Sequence, residues 1–209
     1  MESIFVKQPN GVDDYQGTCW PGESVYIDFL NENAQEYWGN LYSMDQFVGS
    51  NHLYHAWNDM NEPSVFSEPT KTIPEAAIHI KRDGTQVEHR DFHNAYGAFQ
   101  QRSTYRGMLK RDNQVRRPFV LTRSFFLGSQ KYGAYWTGDN FAVDGEIWGS
   151  MKMVLQNSLG GMFFGGADVP GFIGVPAEDV WIRFYQLGQW FPFFRAHSDI
   201  NNQVREPWL

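Results

Sequence analysis

The sequence has one cysteine, Cys19, among its 209 residues. An internal disulfide is therefore excluded, and cysteine usage says little about redox compartment. No run of about 18 apolar residues occurs, so no transmembrane helix is expected. The opening Met1-Glu2-Ser3-Ile4-Phe5 has neither the basic start nor the apolar stretch of a signal peptide. That opening fits a protein that is not secreted, or a chain without its true N-terminus. Positive charge is scarce: 17 Lys and Arg stand against 24 Asp and Glu, a formal net charge of -7. That balance argues against nucleic acid as a partner. Repeats and low-complexity tracts are absent. So is the His-Glu-x-x-His pattern of a zinc helix. His89 and His93 share a helical face without a third ligand at zinc spacing, so hydrogen bonding is expected of them, with no metal and no cofactor.

Aromatic residues are plentiful, at 17% with 8 Trp, and total apolar content is 42%. One domain, or part of a larger one, can build a core from this. The aromatic excess suits a deep or carbohydrate-facing cleft, because ring faces cover the C–H faces of a pyranose. The stretch Trp57-Asn58-Asp59-Met60-Asn61-Glu62-Pro63-Ser64-Val65-Phe66 concentrates it around two carboxylates. Leu53 to Trp57 reads as a short buried strand. Pro63 biases Glu62 to an extended conformation, which puts Asp59 where a strand ends and a turn begins.

Along the chain, residues 1–24 read as a loop with room for a short hairpin, and Trp20 stands out within it. A helix capped by Asn31 or Asn33 is expected over about 33–48, with Tyr37, Trp38, Leu41, Tyr42 and Phe47 on its apolar side. Residues 67–88 are polar and irregular, which suggests an inserted surface loop over a site. A helix then runs from Glu88-His89 to about Met108. Further helices are expected over about 144–159, stopped by Gly160-Gly161, and over about 177–189. In the helix over 144–159, Ile147, Trp148, Met151, Val154, Leu155 and Leu159 form one side.

Strands are expected near 53–57, 118–122, 132–136, 162–166 and 191–195. Each ends on a side chain capable of chemistry: Asp59, Arg123, Asp139, Asp168 and His197. Strand and helix in alternation indicate a parallel sheet with crossover helices. Functional side chains at successive strand ends indicate an α/β class (β/α)8 TIM barrel, here the C-terminal part, about five strands of eight. The domain over 1–209 is therefore expected to be incomplete.

Asp59 and Asp139 are the expected pair of carboxylates for glycoside hydrolysis. One must stay ionised and the other must hold a proton. Arg123 beside Asp59 and the aromatic setting of Trp136-Thr137-Gly138-Asp139 would separate them, although the residues alone leave the two roles open. Asp168 and His197 suit sugar hydroxyls. Each of these side chains also has a plainer reading, as a turn residue, an ion-pair member or ordinary core. It is their gathering at strand ends that favours a site.

Trp57 to Pro63 resembles the nucleophile segment of glycoside hydrolase family 31. Leu121-Thr122-Arg123-Ser124, Trp136-Thr137-Gly138-Asp139-Asn140, Gly166-Ala167-Asp168-Val169-Pro170-Gly171-Phe172 and Phe194-Arg195-Ala196-His197 resemble further segments of that family, in its order. The resemblance runs from about Gly17 to Leu209. It implies Asp59 as nucleophile, Asp139 as acid/base and Glu62 as support for the nucleophile's surroundings. It also implies a glucose site lined by Trp20, Trp57, Met60, Phe66, Arg123, Trp136, Asp168, Phe172 and His197. Within the family, Gly17 to Gly22, Trp57 to Phe66, Glu88 to Asp91 and Arg195 to His197 are most similar to the glucosidase II branch. That implies an enzyme of the endoplasmic-reticulum lumen trimming α-1,3-linked glucose from N-glycans, with a non-catalytic β subunit as partner. Phe141-Ala142-Val143-Asp144-Gly145 departs from the family's usual polar-Trp run, which concerns the leaving-group side. Other family 31 α-glucosidases, an α-xylosidase, or an inactive glycan- or partner-binding remnant are the alternatives.

Overall fold

The computed structural model describes residues 4–111 and 113–208. Met1-Glu2-Ser3, part of the opening read above, and the final Leu209 lie outside the described residues. The chain forms two compact units, Met1–Gly133 and Ala134–Leu209. No helix among the described residues is long and apolar enough to cross a membrane.

The first unit opens with an antiparallel hairpin of β1 (Gln16–Cys19) and β2 (Gly22–Val25). Helix α1 (Glu32–Asn40) follows, capped by the Asn31 side chain, which accepts from Asn33 N–H at 2.8 Å. It is shorter than the expected 33–48. After Asn40 the chain leaves in a series of turns, and Tyr37, Leu41 and Phe47 of the expected apolar side are exposed. What α1 buries is Ala34, Gln35 and Gly39.

Strand β3 (Ala56–Asn58) comes next, later and shorter than the expected 53–57. Leu53 and Tyr54 lie in exposed chain before it. Alternation along the strand turns Ala56 and Asn58 inward and leaves Trp57 47% exposed. The 67–88 segment is more regular than its polar composition suggests. It carries the hairpin of β4 (Ile78–Ile80) and β5 (Gln86–Glu88), and it buries Ile73, Ala77 and His79. Helix α2 (His89–Arg111) has Asp91 in its first turn and Lys110 and Arg111 in its last, as the helix dipole favours. Strand β6 (Val120–Thr122) pairs parallel with β3 in the register Ala56↔Val120 and Asn58↔Thr122. Val6, Tyr15, Phe29, Val65, Ile73, Ala77, Phe92 and Tyr96 form the main core of this unit, while Ala56 and Val120 of the ladder pack with Met108 of α2.

Two features tie this unit together. Gly39 of α1 and Gly107 of α2 meet backbone to backbone, and a Cβ on Gly107 would collide with the Gly39 carbonyl. A buried hydrogen-bonded row also links Asp28, His79, His89 and His93. His79 Nδ1 lies 2.6 Å from Asp28 Oδ1, His79 Nε2 lies 2.9 Å from His89 Nδ1, and His89 Nε2 lies 3.0 Å from His93 Nδ1. Asp28, His79 and His89 are almost wholly buried.

The second unit holds β7 (Ala134–Trp136), α3 (Asp144–Leu159), β8 (Gly165–Gly166) and α4 (Glu178–Gly188). Strands β7 and β8 are parallel, with Tyr135 opposite Gly165. A short 3-10 turn, Ser129–Lys131, closes the first unit. Helix α3 matches its expected span, but its buried line is Ser150 and Val154. Trp148, Leu155 and Leu159 of the expected apolar side are exposed. The expected strand over 162–166 is reduced to two glycines, with Phe163 and Phe164 exposed before them. No strand forms over the described residues 191–195. That stretch makes single contacts instead, Phe193 N–H to Gly165 C=O and Val169 N–H to Arg195 C=O, and a lone bridge pairs Val169 with Ala196. Pro192 has no N–H to give to a ladder. Val154, Ala167, Val169, Phe184 and Phe191 form the core. Each unit is thus built on one strand–helix–strand crossover, with Asp59, Arg123, Asp139 and Asp168 just past the strand ends.

Candidate active site

In the first unit, Arg123 organises the residues after β3. Its Nε and Nη2 donate to Glu62 Oε1 and Oε2 at 2.7 and 3.0 Å, a two-pronged charged pair. Its Nη1 lies 3.1 Å from Asp59 Oδ1, and its Nη2 donates to Met60 Sδ at 2.9 Å. Arg123 is only 19% exposed, while Asp59 and Glu62 are 36% and 37% exposed. Of the expected site residues, the structure therefore brings Asp59, Met60, Glu62 and Arg123 together.

The loop carrying them is held from beneath. Arg123 N–H donates to Asn58 C=O at 3.0 Å, continuing the β3–β6 pairing by one step. Asn61, 2% exposed, donates from Nδ2 to Thr122 Oγ1 at 2.8 Å and accepts from Ser124 N–H at 2.8 Å. Met60 is in the left-handed region at φ 60, and its N–H turns to Asp59 Oδ1 at 2.9 Å. Gly97 of α2 makes the close packing possible: a Cβ there would sit 2.5 Å from Ser124 Cβ and 2.7 Å from Asn61 O. Trp20 and Phe66 form their own edge-to-face pair, with centroids 5.0 Å apart. Trp20 is 78% exposed at the hairpin tip, and Phe66 N–H donates to Thr18 C=O at 2.7 Å.

In the second unit, Asp139 is exposed and Trp136, three residues before it, is buried. The desolvation expected around Asp139 is therefore not supplied by the described residues of this unit. Asp168 is fully buried and accepts from Arg195 Nε at 2.9 Å. The Arg195 guanidinium also lies 5.2 Å from the Trp136 ring centroid, over its face. Phe172 and His197 stack at 5.2 Å with planes 21° apart. Asn140 ties these pieces together. Its Nδ2 donates to Asp168 C=O at 3.1 Å, and its Oδ1 accepts from Phe172 N–H at 3.2 Å.

Asn61, Asn140 and Arg195 were not singled out by sequence reasoning. Asn61 and Asn140 look like ordinary turn formers. Their partners lie far along the chain, so no local spacing marks them.

The whole chain, residues 1–209, matches the family model described as the Glycosyl hydrolases family 31 TIM-barrel domain. The chain belongs to glycosyl hydrolase family 31. Family 31 relatives support this at high identity. The glucosidase 2 subunit alpha of Schizosaccharomyces pombe is 47% identical over 204 residues, covering 98% of this chain and 22% of that protein. The neutral alpha-glucosidase C of Homo sapiens is 47% identical over 208 residues, covering 100% of this chain and 22% of that protein. A crystal structure of a glucosidase II alpha subunit bound to alpha3-Glc2 superposes with a TM-score of 0.92 at 46% identity, covering 98% of this chain and 22% of that one. The chain thus spans about a fifth of the length of these relatives, within their family 31 barrel. Its fold is an incomplete (β/α)8 barrel of α/β class.

Proposed function

We propose that this domain carries the glycone site of a retaining α-glucosidase and that the intact protein trims α-1,3-linked glucose from N-glycans. The observation that carries the reading is the Arg123 guanidinium bridging Asp59 and Glu62 in a family 31 chain. Asp59 is the nucleophile. Its carboxylate attacks the anomeric carbon from the face opposite the leaving group, while Asp139 gives its proton to the departing oxygen. The product of this step is a β-glucosyl ester on Asp59. Asp139, now ionised, takes a proton from water, and that water attacks from the vacated face to release α-glucose.

Arg123 steadies the Asp59 carboxylate, and Glu62 holds Arg123 by both arms. Trp20, Trp57, Met60, Phe66, Trp136, Phe172 and His197 supply the walls of the site, and Asp168 contributes alongside Arg195. The 67–88 segment is an insertion following Phe66. A crystal structure of an ER glucosidase II heterodimer, holding a catalytic subunit and the binding domain of a regulatory subunit, matches 98% of this chain and 22% of that one at 47% identity. It supports a β-subunit partner and the endoplasmic-reticulum lumen for the intact protein. A second reading, a neutral α-glucosidase acting on other α-glucosides, has equal support, since the human neutral alpha-glucosidase C is also 47% identical.

The test is product analysis of Asp59→Asn and Asp139→Asn in the intact enzyme, with an activated aryl α-glucoside and with azide. Asp139→Asn is expected to accumulate the glucosyl ester and to yield α-glucosyl azide, because azide needs no base. Asp59→Asn is expected to make none of that product. Formation of α-glucosyl azide by Asp59→Asn would reverse the two roles. Comparison of α-1,3-linked glucosyl oligosaccharides with maltose separates the two substrate readings.

A further inference from the structure

Loop 171–174 is gripped from two sides. On one side the Asn140 carbonyl accepts from Phe172 N–H at 2.8 Å and from Ile173 N–H at 3.0 Å. On the other, the chain after His197 folds back over the loop. Asp199 N–H and Asn202 Nδ2 donate to the Phe172 carbonyl at 3.0 and 2.7 Å. Arg205 then spans the loop. Its Nη1 donates to Gly174 C=O at 2.7 Å, and its Nη2 donates to Gly171 C=O at 2.5 Å, with Phe172 C=O at 3.3 Å.

The glycines make this possible. Gly171 and Gly174 have φ of 104° and 88°, a region side chains rarely adopt. The carbonyls at both ends of the loop converge on one cation. A planar guanidinium can bridge two carbonyls at once, whereas a lysine ammonium offers a single point of charge. Burial pushes the Arg205 guanidinium down from its ordinary value, so these carbonyls offset a real desolvation cost. Residue 172 thus has both its N–H and its C=O tied down, and its ring rests on His197.

We propose that Arg205 is a positioning residue for the sugar site: by bracing loop 171–174 it holds the Phe172 ring in its stack on His197. The proposal rests on the reading of Phe172 and His197 as walls of that site. Arg205 acts through Phe172 and does not itself touch substrate.

The test uses the intact enzyme and an aryl α-glucoside. Variants are Phe172→Ala, Arg205→Met, Arg205→Lys, Asn202→Ala and the double Phe172→Ala/Arg205→Met. Phe172→Ala is expected to raise KM about tenfold. Arg205→Met is expected to raise KM about fivefold with kcat within about twofold, because it loosens binding without touching the reacting atoms. Arg205→Lys should recover only part of that loss. In the double variant, Arg205→Met should add almost nothing to Phe172→Ala. Should Arg205→Met fail to fold, Asn202→Ala carries the same readout, since it removes one donor to the Phe172 carbonyl. An unchanged KM in Phe172→Ala overturns the reading of the site. A raised KM in Phe172→Ala with no effect of Arg205→Met and Asn202→Ala, or with fully additive costs in the double variant, overturns the positioning role alone.

Discussion

Arg123 grips Glu62 with two nitrogens, at 2.7 and 3.0 Å, and spares a third for Asp59 at 3.1 Å. One cation thus serves two carboxylates three residues apart, and Glu62 takes the larger share. Glu62→Gln should shift that division. The guanidinium would draw harder on Asp59 and withdraw charge from the attacking oxygen. The expected result is a fall in kcat of about tenfold with KM little changed, read by steady-state kinetics of the intact enzyme. An equal loss confined to KM would mean that Glu62 serves substrate binding instead.

Asn61 offers a cleaner test of the support beneath Asp59. The Thr122 hydroxyl donates to Ser124 C=O at 2.7 Å, so its oxygen can only accept from Asn61 Nδ2. Asn61→Asp would set a carboxylate oxygen against an oxygen with no proton to give. With Asn61 at 2% exposure, the cost should be about 2 kcal/mol or more, measured as a lowered urea midpoint. An unaltered midpoint would show that the loop rearranges freely.

Gly97→Ala should damage the same loop from the helix side. The added methyl group would press on Ser124 and on the Asn61 carbonyl. About 3 kcal/mol of destabilisation is expected by thermal or urea unfolding, along with lost activity. Gly84→Ala probes a positive-φ turn where no atom stands in the way, and it should spare activity.

The histidine row sets a pH dependence. Burial, with His79 and His93 adjacent, lowers the His89 pKa from its ordinary value to about 3. The folded state therefore leaves His89 neutral where the unfolded chain protonates it. Between about pH 6.5 and pH 3 the unfolded chain binds the extra proton, so stability falls as pH falls. Above about pH 6.5 this group contributes no slope. The slope should approach about 1 kcal/mol per pH unit from this group. Urea midpoints measured from pH 8 to pH 4 should decline more steeply for the native chain than for His89→Gln. Parallel declines would place the effect elsewhere; Asp28, His79 and His93 are the ionisable groups that face His89 along the row.

Much of this architecture is legible in the sequence, for reasons that differ by element. Helix α3 is readable to its ends because Asp144 and Glu146 sit in its first turn and Gly160 and Gly161 end it. Its buried face is not, because Trp148 and Leu155 satisfy the same period as Val154 while lying exposed. The strand before Asp59 is misplaced because Leu53 and Tyr54 look like strand residues. What sets β3 is its ladder with Val120 to Thr122, a partner more than sixty positions away. The Arg123–Asp59 contact could be expected from strand-end placement alone. The hold of Asn61 on Thr122 and Ser124, and that of Asn140 on Asp168 and Phe172, could not, since each joins residues that only the folded chain makes neighbours.

Where Gly39 of α1 meets Gly107 of α2, bare backbone faces bare backbone. Most helix crossings are cushioned by side chains that can change rotamer and absorb a shift. Here side chains join the helices to either side of the glycine pair, where Trp38 Nε1 donates to Thr104 Oγ1 at 2.8 Å and Lys110 Nζ donates to Asn40 Oδ1 at 2.9 Å. At the glycine pair itself no side chain can yield, because a Gly107 Cβ would fall on the Gly39 carbonyl. A side chain at Gly107 would pry α1 from α2, the same helix whose Gly97 packs against the Asp59 loop.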